Sequence, residues 1–389
     1  MVPFIDLNSQ FKRIQSDVEE RVLAVLRSGQ YILGPEVAAL EQQLAEFTGV
    51  KHAISCASGT DALMIALMAE GIGPGDAVFT TPFTFFATAE VIALLGATPI
   101  FVDIDPETFN IDPAALDKAI TALKTGDTSC TALPKWSAEK LAVLKPRGII
   151  AVDLFGLPAD YGQINAVAER HGLFVLEDAA QGYGGKLNGL RAGALAKVAC
   201  TSFFPAKPLG CYGDGGALFT DDDTLADLFR SIRVHGQGSD RYENVRLGIT
   251  GRLDAIQAAV LIPKLAIFQD ELDARQRVAA TYNRLLAALD VELITPTVPN
   301  GYYSAWAQYS VLASNAAARQ ALMDKLKAAG IPTMIYYPKP LHLQKAFENL
   351  GHQPGDFPLS ESVAERIFSL PMHPYLDDAT IAQIVSAFK

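Results

Sequence analysis

The sequence is poor in the residues that build disulfides and metal sites. It contains four cysteines and six histidines among 389 residues. The cysteines stand far apart without a C-x-x-C pair, and the histidines show no metal-ligand spacing. We therefore expect free thiols, a reducing compartment such as the cytoplasm, and no metal site.

The sequence also lacks an excess of positive charge and any long apolar run. Lysine and arginine total 32 against 43 aspartates and glutamates, which gives a net charge of −11. Nonspecific binding to nucleic acid or to an anionic membrane needs a basic surface, so we expect neither. No stretch predicts a membrane span, and the first residues show no signal-peptide pattern. A phosphate-bearing ligand would need a local site.

Hydrophobic residues, in contrast, are abundant. They make up 50% of the chain, which suffices for a large core and for two domains. Short apolar strands alternate with helices up to residue 177, and this alternation predicts an α/β fold with a mostly parallel sheet buried on both faces. The predicted strands are 53–55, 77–80, 99–103, 149–155 and 173–177, and the helices among them are 60–70, 84–95 and 164–171.

The pattern changes after residue 251, where longer helical periodicities predict a small α+β domain. We place the boundary near residue 260, which gives a large domain 1–260 and a small domain 261–389; the N-terminal helix could pack on the small one. The region 124–147 lacks clear periodicity and is predicted to be an inserted surface flap. The predicted C-terminal helices are 252–261, 265–286 and 316–329, and the strands are 308–312 and 333–336.

Lys207 stands in an unusual setting. Aromatic residues, two prolines and four glycines surround it in the segment 201–216, which is not typical of a solvated lysine. An apolar run that ends in Asp178 precedes it by 29 residues. A lone lysine in such a loop is more often structural, and an acid at a strand end is more often a helix cap. Together they match what pyridoxal phosphate (PLP) needs, a lysine that bonds to its aldehyde and an acid at its ring nitrogen.

Several segments resemble the DegT/StrS-type sugar-nucleotide aminotransferases, a branch of the fold-type-I PLP enzymes. They cover nearly the whole chain in order: GQYILGPEV at 29–37, ASGTDAL at 57–63, TPFTF at 81–85, the Asp178 and Lys207 segments, RLDAIQAA at 252–259, and YPKPLH at 337–342. The resemblance implies a large domain with a seven-stranded, mostly parallel sheet and a small C-terminal domain. Related dehydratases have histidine in place of Lys207, so the lysine favours transamination.

The resemblance also implies a set of cofactor-binding residues. Gly59 and Thr60 at a helix N-terminus, with Ser202, would bind the PLP phosphate. Phe85 would stack on the ring, although Phe83 and Phe86 compete for that role. Asp178 would keep the ring nitrogen protonated, and Gln181 would hydrogen-bond the phenolic oxygen. Lys207 would hold PLP and then transfer the proton.

One segment departs from the family pattern. Members usually show Gly-x-Asn-x-Arg, whose asparagine reaches the phosphate of the neighbouring subunit, but this chain has Thr250 at that position. The threonine hydroxyl can still donate a hydrogen bond, with a shorter reach. The resemblance implies a homodimer whose active sites lie at the interface.

The substrate evidence is thinner. The closest resemblance is to enzymes that aminate C3 of UDP-N-acetyl-3-oxo-hexoses or hexuronates, with L-glutamate as amino donor, for bacterial surface polysaccharide or lipid synthesis. Uronate enzymes are expected to carry histidine where this chain has Tyr336, so the uronate stays open. Two alternatives remain: a 4-keto-6-deoxy sugar-nucleotide 4-aminotransferase, and a PLP-binding regulator without turnover. The candidate substrate residues are Tyr31, Arg233, Tyr336, Tyr337 and His342.

Overall fold

The computed structural model describes residues 2–240 and 242–389. Over these residues the helices are α1 (Leu7–Ser28), α2 (Pro35–Thr48), α3 (Gly59–Ala69), α4 (Ala87–Leu94), α5 (Pro113–Thr125), α6 (Ala138–Ala142), α7 (Tyr161–His171), α8 (Asp223–Ile232), α9 (Ala255–Ala266), α10 (Phe268–Leu286), α11 (Ala316–Ala328), α12 (Pro358–Arg366) and α13 (Asp378–Ser386). The strands are β1 (His52–Cys56), β2 (Asp76–Thr80), β3 (Thr98–Phe101), β4 (Lys145–Val152), β5 (Phe174–Asp178), β6 (Lys186–Leu187), β7 (Leu190–Arg191), β8 (Val198–Ser202), β9 (Gly216–Thr220), β10 (Leu293–Ile294), β11 (Tyr302–Tyr303), β12 (Tyr309–Ala313) and β13 (Ile367–Leu370).

Seven strands form the central sheet in the order β1-β9-β8-β5-β4-β2-β3. Strand β9 runs antiparallel to β1 and β8, and the other neighbouring pairs are parallel. Successive residues of β4, Ile149 and Ile150, enter different hydrophobic clusters, so both faces of the sheet are covered. The predicted α/β fold with a mostly parallel seven-stranded sheet is confirmed. Its parallel strands end at one edge, where such sheets bind ligands.

The C-terminal part contains a second, three-stranded antiparallel sheet in the order β10-β12-β13. Tyr309 and Phe368 of this sheet share a hydrophobic core with Tyr282 of α10. Residue 260 falls inside α9, and Val260 packs against Ile14 of α1. The N-terminal helix therefore contacts the helix in which the predicted domain boundary lies. The division into two domains at residue 260 stays a prediction.

Several predicted elements differ from the structure in their bounds, and one predicted strand is reduced to a single bridge. The helix predicted over 84–95 begins at Ala87, because a turn precedes it. The strand predicted over 149–155 ends at Val152, and a short turn over Leu154–Gly156 follows it. The predicted strand 333–336 contains only an isolated bridge from Met334 to Ser369. In the first two cases the apolar pattern continues into a loop that supports the sheet edge.

Most of the segment 124–147 is exposed, as expected of a surface segment, but buried apolar side chains anchor it to the fold. Leu133 is 1% exposed and Leu141 3%, and both enter the large hydrophobic cluster beside the central sheet. The Trp136 indole donates to the Asn349 carbonyl at 2.7 Å, and Lys135 N–H donates to the Leu350 carbonyl at 2.8 Å. Leu141 belongs to the short helix α6 and Leu133 to the loop before it, and the two hydrogen bonds join the segment to the C-terminal part.

The structure gives three further facts about classes of site. None of the helices in residues 2–240 and 242–389 combines the length and apolar character that a bilayer crossing requires. Over the same residues, no three histidine, cysteine or acidic side chains are grouped so that they could hold a metal ion. The four cysteines are free and buried: Cys56, Cys130, Cys200 and Cys211.

Candidate active site

A cavity of about 410 Å³ opens at the carboxyl edge of the central sheet. This volume is in the range of small-molecule and cofactor sites. Its lining combines side chains from both ends of the chain with the strand ends of the large sheet. The lining residues are Phe4, Ile5, Ser58, Gly59, Thr60, Leu63, Thr84, Phe85, Ala87, Thr88, Asp178, Ala180, Gln181, Ser202, Phe204, Ala206, Lys207, Asp214, Gly215, Ala307, Gln308, Tyr336 and Tyr337.

Lys207 lies on the loop between β8 and β9 and lines this cavity. Its backbone N–H donates to the Phe204 carbonyl at 2.8 Å, which closes a tight turn just before the side chain. Burial lowers the pKa of the Lys207 amine, and the charge of Asp178 opposes that shift. A lower pKa increases the fraction of neutral amine, which is the form that attacks a carbonyl carbon.

Asp178 ends β5 and is 4% exposed. The Thr88 hydroxyl donates to its Oδ2 atom at 2.8 Å, and the Ala180 N–H donates to its Oδ1 atom at 3.2 Å. Burial raises the pKa of Asp178, and these two donors and the charge of Lys207 oppose that shift. The carboxylate is thus placed to hold a proton on a group in the cavity.

The predicted phosphate contacts form one cluster. Helix α3 begins at Gly59, and the Ser58 hydroxyl caps it by accepting from the Asp61 N–H at 3.0 Å. Helix geometry leaves the first-turn N–H groups of Gly59 and Thr60 without intrahelical acceptors, which suits a phosphate. A Cβ atom on Gly59 would lie 2.7 Å from the Cβ atom of Ser202. Only glycine allows this approach, which brings the Ser202 hydroxyl to the helix N-terminus.

The structure separates the three phenylalanines that competed as stacking residues. Phe85 is 55% exposed and lines the cavity. Phe83 is fully buried, and Phe86 packs on Phe347 with the ring centroids 5.4 Å apart. Of the three, Phe85 therefore has the placement that ring stacking requires.

Gln181 has a fixed orientation at the cavity wall. Its Oε1 atom accepts from the Phe155 N–H at 2.9 Å, so the amide nitrogen points the other way. That nitrogen donates to the Tyr337 hydroxyl at 3.3 Å. An N–H donor at this place fits the phenolic oxygen of PLP. With the helix N-terminus, the lysine and the carboxylate in the same cavity, the residues present fit this cofactor.

Two further predicted residues do not line the cavity. Thr250 is exposed, and its Oγ1 atom lies 2.5 Å from the His235 Nε2 atom. Arg233 is 6% exposed and donates to Glu41 at 2.5 Å and to the Ser55 carbonyl at 2.7 Å. The Arg233 guanidinium thus holds α2 and β1 together, and it is not available to a ligand within this protomer.

The four other candidate substrate residues divide evenly. Tyr336 and Tyr337 line the cavity, as predicted for substrate contacts. Tyr31 is 47% exposed, lies outside the lining and donates to the Leu26 carbonyl at 3.2 Å. His342 is 2% exposed and contacts Glu361, with 3.1 Å between its Nε2 atom and a carboxylate oxygen. Two residues of the segment 336–342 thus line the cavity, whereas its histidine points into the protein.

Sequence reasoning missed several cavity residues. Thr88 lies in the first turn of α4, and its hydroxyl is 3.3 Å from that of Thr84 in the preceding loop, a contact that no helical spacing predicts. Asp214 lies in the segment 201–216, and its acidic side chain could have been noted. Phe4 and Gln308 come from distant parts of the chain, and no local pattern marks them.

Residues 12–389 match the DegT/DnrJ/EryC1/StrS aminotransferase family. The chain is 48% identical over 387 residues to UDP-2-acetamido-2-deoxy-3-oxo-D-glucuronate aminotransferase of Pseudomonas aeruginosa. The alignment covers 100% of this chain and 99% of that protein. It is 39% identical to UDP-N-acetyl-3-dehydro-alpha-D-glucosamine 3-aminotransferase of Acidithiobacillus ferrooxidans, over 100% and 97% of the two chains. It is 45% identical to a pleiotropic regulatory protein of Geobacillus stearothermophilus, over 97% and 95%.

Solved structures agree with these matches. An aminotransferase of the same family from Brucella abortus is 51% identical, with a TM-score of 0.92 over 100% of this chain and 98% of that one. The Bacillus subtilis protein NtdA was solved with the bound cofactor PMP, the amino form of PLP. It is 27% identical, with a TM-score of 0.84 over 99% of this chain and 83% of its own.

Proposed function

This chain belongs to the DegT/DnrJ/EryC1/StrS aminotransferase family and is a PLP-dependent enzyme, and from that premise we propose which residues do the work. Lys207 holds PLP covalently, and Asp178 keeps the ring nitrogen protonated. Gly59, Thr60 and Ser202 bind the phosphate. Phe85 stacks on the ring, and Gln181 donates to its phenolic oxygen. When bound, PLP accepts the electron pair left by C–H cleavage and carries the amino group between two substrates.

The observation that carries this assignment is the convergence of Lys207 and Asp178 with the N-terminus of α3 in one cavity. With the cofactor and an amino donor bound, the Lys207 amine would be placed to move a proton at the substrate carbon. The hydrogen bonds from Thr88 and Ala180 favour the anionic form of Asp178, which is the form that stabilises a protonated ring nitrogen. The two side chains thus have separate tasks, proton transfer and charge stabilisation.

The proposed substrates are L-glutamate, as amino donor, and a nucleotide-linked keto sugar. The names of the Pseudomonas aeruginosa and Acidithiobacillus ferrooxidans relatives specify a 3-oxo and a 3-dehydro UDP sugar. We therefore favour C3 of a UDP-N-acetyl-3-oxo-hexose or hexuronate, in the synthesis of a bacterial surface polysaccharide or lipid. Such a reaction places the enzyme in the cytoplasm, where nucleotide sugars are made.

The proposed homodimer would complete the site. Among the lining residues that the structure describes, Lys207 is the one lysine or arginine. Glutamate and the nucleoside diphosphate of the sugar substrate carry several negative charges. The further cations that would balance them would have to come from a second subunit. Thr250 is exposed and lies outside the lining, as a cross-subunit donor would.

Replacing the Thr250 hydroxyl by a methyl group tests this contact. Thr250→Val should weaken PLP affinity about ten- to a hundred-fold, because the phosphate loses one donor to a charged acceptor, while kcat at saturating PLP stays near normal. Equilibrium dialysis gives the affinity, and sedimentation gives the oligomeric state. Unchanged PLP affinity would remove Thr250 from the proposed site.

The function itself is tested with a panel of keto sugars. The purified enzyme should convert glutamate to 2-oxoglutarate only when a UDP-N-acetyl-3-oxo sugar is present, and NMR of the product should place the new amine at C3. Preference for a 4-keto-6-deoxy sugar, with the amine at C4, would support the first alternative. PLP binding without turnover on any member of the panel would contradict the proposed substrate class.

A further inference from the structure

A second lysine lies close behind the active-site loop. Lys264 of α9 is 1% exposed, although lysines are almost never fully buried unless they are paired. Its Nζ atom donates to the Gly210 carbonyl at 2.6 Å and lies 4.1 Å from the centroid of the Tyr212 ring. Burial lowers the pKa of Lys264 to about 8, and the charge of Glu271 opposes that shift. Below that pH the bond to Gly210 is charge-assisted.

Gly210 belongs to the same loop as Lys207, three residues further on. A Cβ atom at Gly210 would lie 2.6 Å from the carbonyl oxygens of both Phe204 and Pro205, so the loop folds tightly back on itself. The Phe204 carbonyl also accepts from the Lys207 N–H at 2.8 Å. The position of the Gly210 backbone and the turn that carries Lys207 are therefore mechanically linked.

A buried carboxylate acts electrostatically on Lys264. Glu271 of α10 is 2% exposed and accepts from the Gln10 amide at 2.8 Å and from the Tyr375 hydroxyl. Arg275, one helical turn further, is 5% exposed and donates to the Trp306 carbonyl at 2.9 Å. These hydrogen bonds join α10 to α1 and to the C-terminal segment, and the charge of Glu271 in this network favours the charged form of Lys264.

We propose that Lys264 is a positioning residue that anchors the active-site loop through the Gly210 carbonyl and so aims the Lys207 amine into the cavity. Lys264 itself lies outside the cavity lining, so it acts through the loop and takes no part in bond making. During attachment, Lys207 Nζ bonds to the aldehyde carbon of PLP and one water leaves. This inference rests on the proposed role of Lys207.

The test removes the anchor and keeps the aliphatic stem. In Lys264→Met, the rate at which apoenzyme and PLP develop the visible absorption of the covalent complex should fall on the order of ten-fold, the effect of one lost bond to a charged donor. The value of kcat should fall by a similar factor, and KM for glutamate and sugar should change less than two-fold. Lys197→Met is the matched control, because Lys197 is exposed and pairs with Asp222 on the surface; it should behave like wild type.

Two further measurements separate anchoring from general support. Lys264→Gln keeps an N–H donor and should recover part of the attachment rate; it also serves if Lys264→Met does not fold. The attachment rate of wild type divided by that of Lys264→Met should be constant below pH 7. Above pH 8, where Lys264 loses its charge, this ratio should fall towards one. The pH dependence that comes from the ionisation of Lys207 affects both proteins and cancels in that ratio. Glu271, Cys211 and Tyr212 are the titratable groups that face Lys264.

The outcomes distinguish this inference from the proposed function. A lower melting temperature of Lys264→Met with wild-type attachment rate and kcat would overturn the positioning role and leave a structural lysine. If Lys207→Ala, run in parallel, still develops the covalent absorption band, the assignment of Lys207 is wrong instead. Loss of the band in Lys207→Ala together with slow attachment in Lys264→Met supports both.

Discussion

Two neighbouring acids at the end of β5 have opposite surroundings. Glu177 and Asp178 follow one another in the strand, so their side chains point to opposite faces of the sheet, and both are almost fully buried. Asp178 faces the cavity and receives the Thr88 hydroxyl. Glu177 faces the core and accepts from the backbone N–H groups of Gly193 at 2.6 Å and Leu195 at 2.9 Å.

Glu177 also faces a third acid, Asp153, which lies just beyond β4. The Oδ1 atom of Asp153 accepts from the Ala159 N–H and from the Tyr161 hydroxyl, each at 3.0 Å. Its Oδ2 atom has no N–H or O–H donor among the described residues. Burial and the charge of Glu177 raise the pKa of Asp153 well above its usual value. A proton shared between Asp153 and Glu177 accounts for the unpartnered oxygen.

The surroundings of these three acids favour different protonation states. The core pair reduces the cost of burial by holding one proton between two carboxyls. Asp178 has no acid to share with on its own face, and a hydroxyl, an N–H group and the nearby lysine favour its charged form. Burial alone therefore does not separate a working carboxylate from a structural one. The hydrogen-bond donors to the carboxylate and the cation that it faces distinguish the two.

Removing the charge of Asp178 should lower kcat, and this is the largest effect that we expect from a single substitution. Asp178→Asn keeps the shape of the side chain but cannot hold the ring nitrogen protonated, so kcat should fall on the order of 100-fold or more. The melting temperature should stay close to wild type, because the amide oxygen can still accept from the Ala180 N–H and the Thr88 hydroxyl can turn to donate to Thr84. Steady-state kinetics and calorimetry check both. A near-normal kcat would mean that Asp178 does not hold the ring nitrogen.

Changing the core pair should alter stability and its pH dependence. Asp153 has a raised pKa in the folded state, so its contribution is fully present below the unfolded pKa of about 4 and is lost as the pH rises through the folded value. Wild type should therefore lose free energy of unfolding as the pH rises above the unfolded pKa of about 4, with a slope approaching about 1.4 kcal/mol per pH unit until the raised folded pKa is passed. Asp153→Asn can donate to Glu177 without titrating, so its slope should be flatter.

Denaturant titrations of wild type and Asp153→Asn at several pH values measure this difference. The kcat of the variant should stay within a few-fold of wild type, because the pair lies on the other face of the sheet from Asp178. Parallel stability slopes for the two proteins would show that Asp153 does not hold the proton. A large loss of kcat in the folded variant would contradict the separation of the two acid sites.

Of the three substitutions, removing the Thr88 hydroxyl that donates to Asp178 should change the free energies least. Thr88→Val removes a donor to the carboxylate, so the pKa of Asp178 should rise and the acidic limb of the kcat–pH profile should move to higher pH. At neutral pH kcat should fall about ten-fold, the cost of one hydrogen bond to a charged group. Thr88→Ser keeps the hydroxyl and should restore both. An unchanged profile in Thr88→Val would exclude this role.

The sequence was sufficient for the features that follow local rules. Alternating apolar strands and helices predicted the parallel sheet, and the strand end at Asp178 and the Ser-Gly-Thr start of α3 predicted where the site forms. Thr88 and Lys264 could not be identified in the same way, because their roles depend on contacts between residues 90 and 54 positions apart. Arg233 and His342 were chosen for their residue types. Their side chains are held by Glu41 and Glu361, which no local pattern reveals.

The most direct test of the account is to locate the covalently bound cofactor. The reconstituted protein should absorb visible light, and borohydride reduction followed by peptide mass mapping should place PLP on Lys207 alone. Lys264 also has a lowered pKa, but its amine is hydrogen-bonded to Gly210 and lies outside the cavity, so its peptide should be unmodified. PLP fixed on Lys264, or a protein that binds PLP without covalent attachment, would contradict the proposed active site.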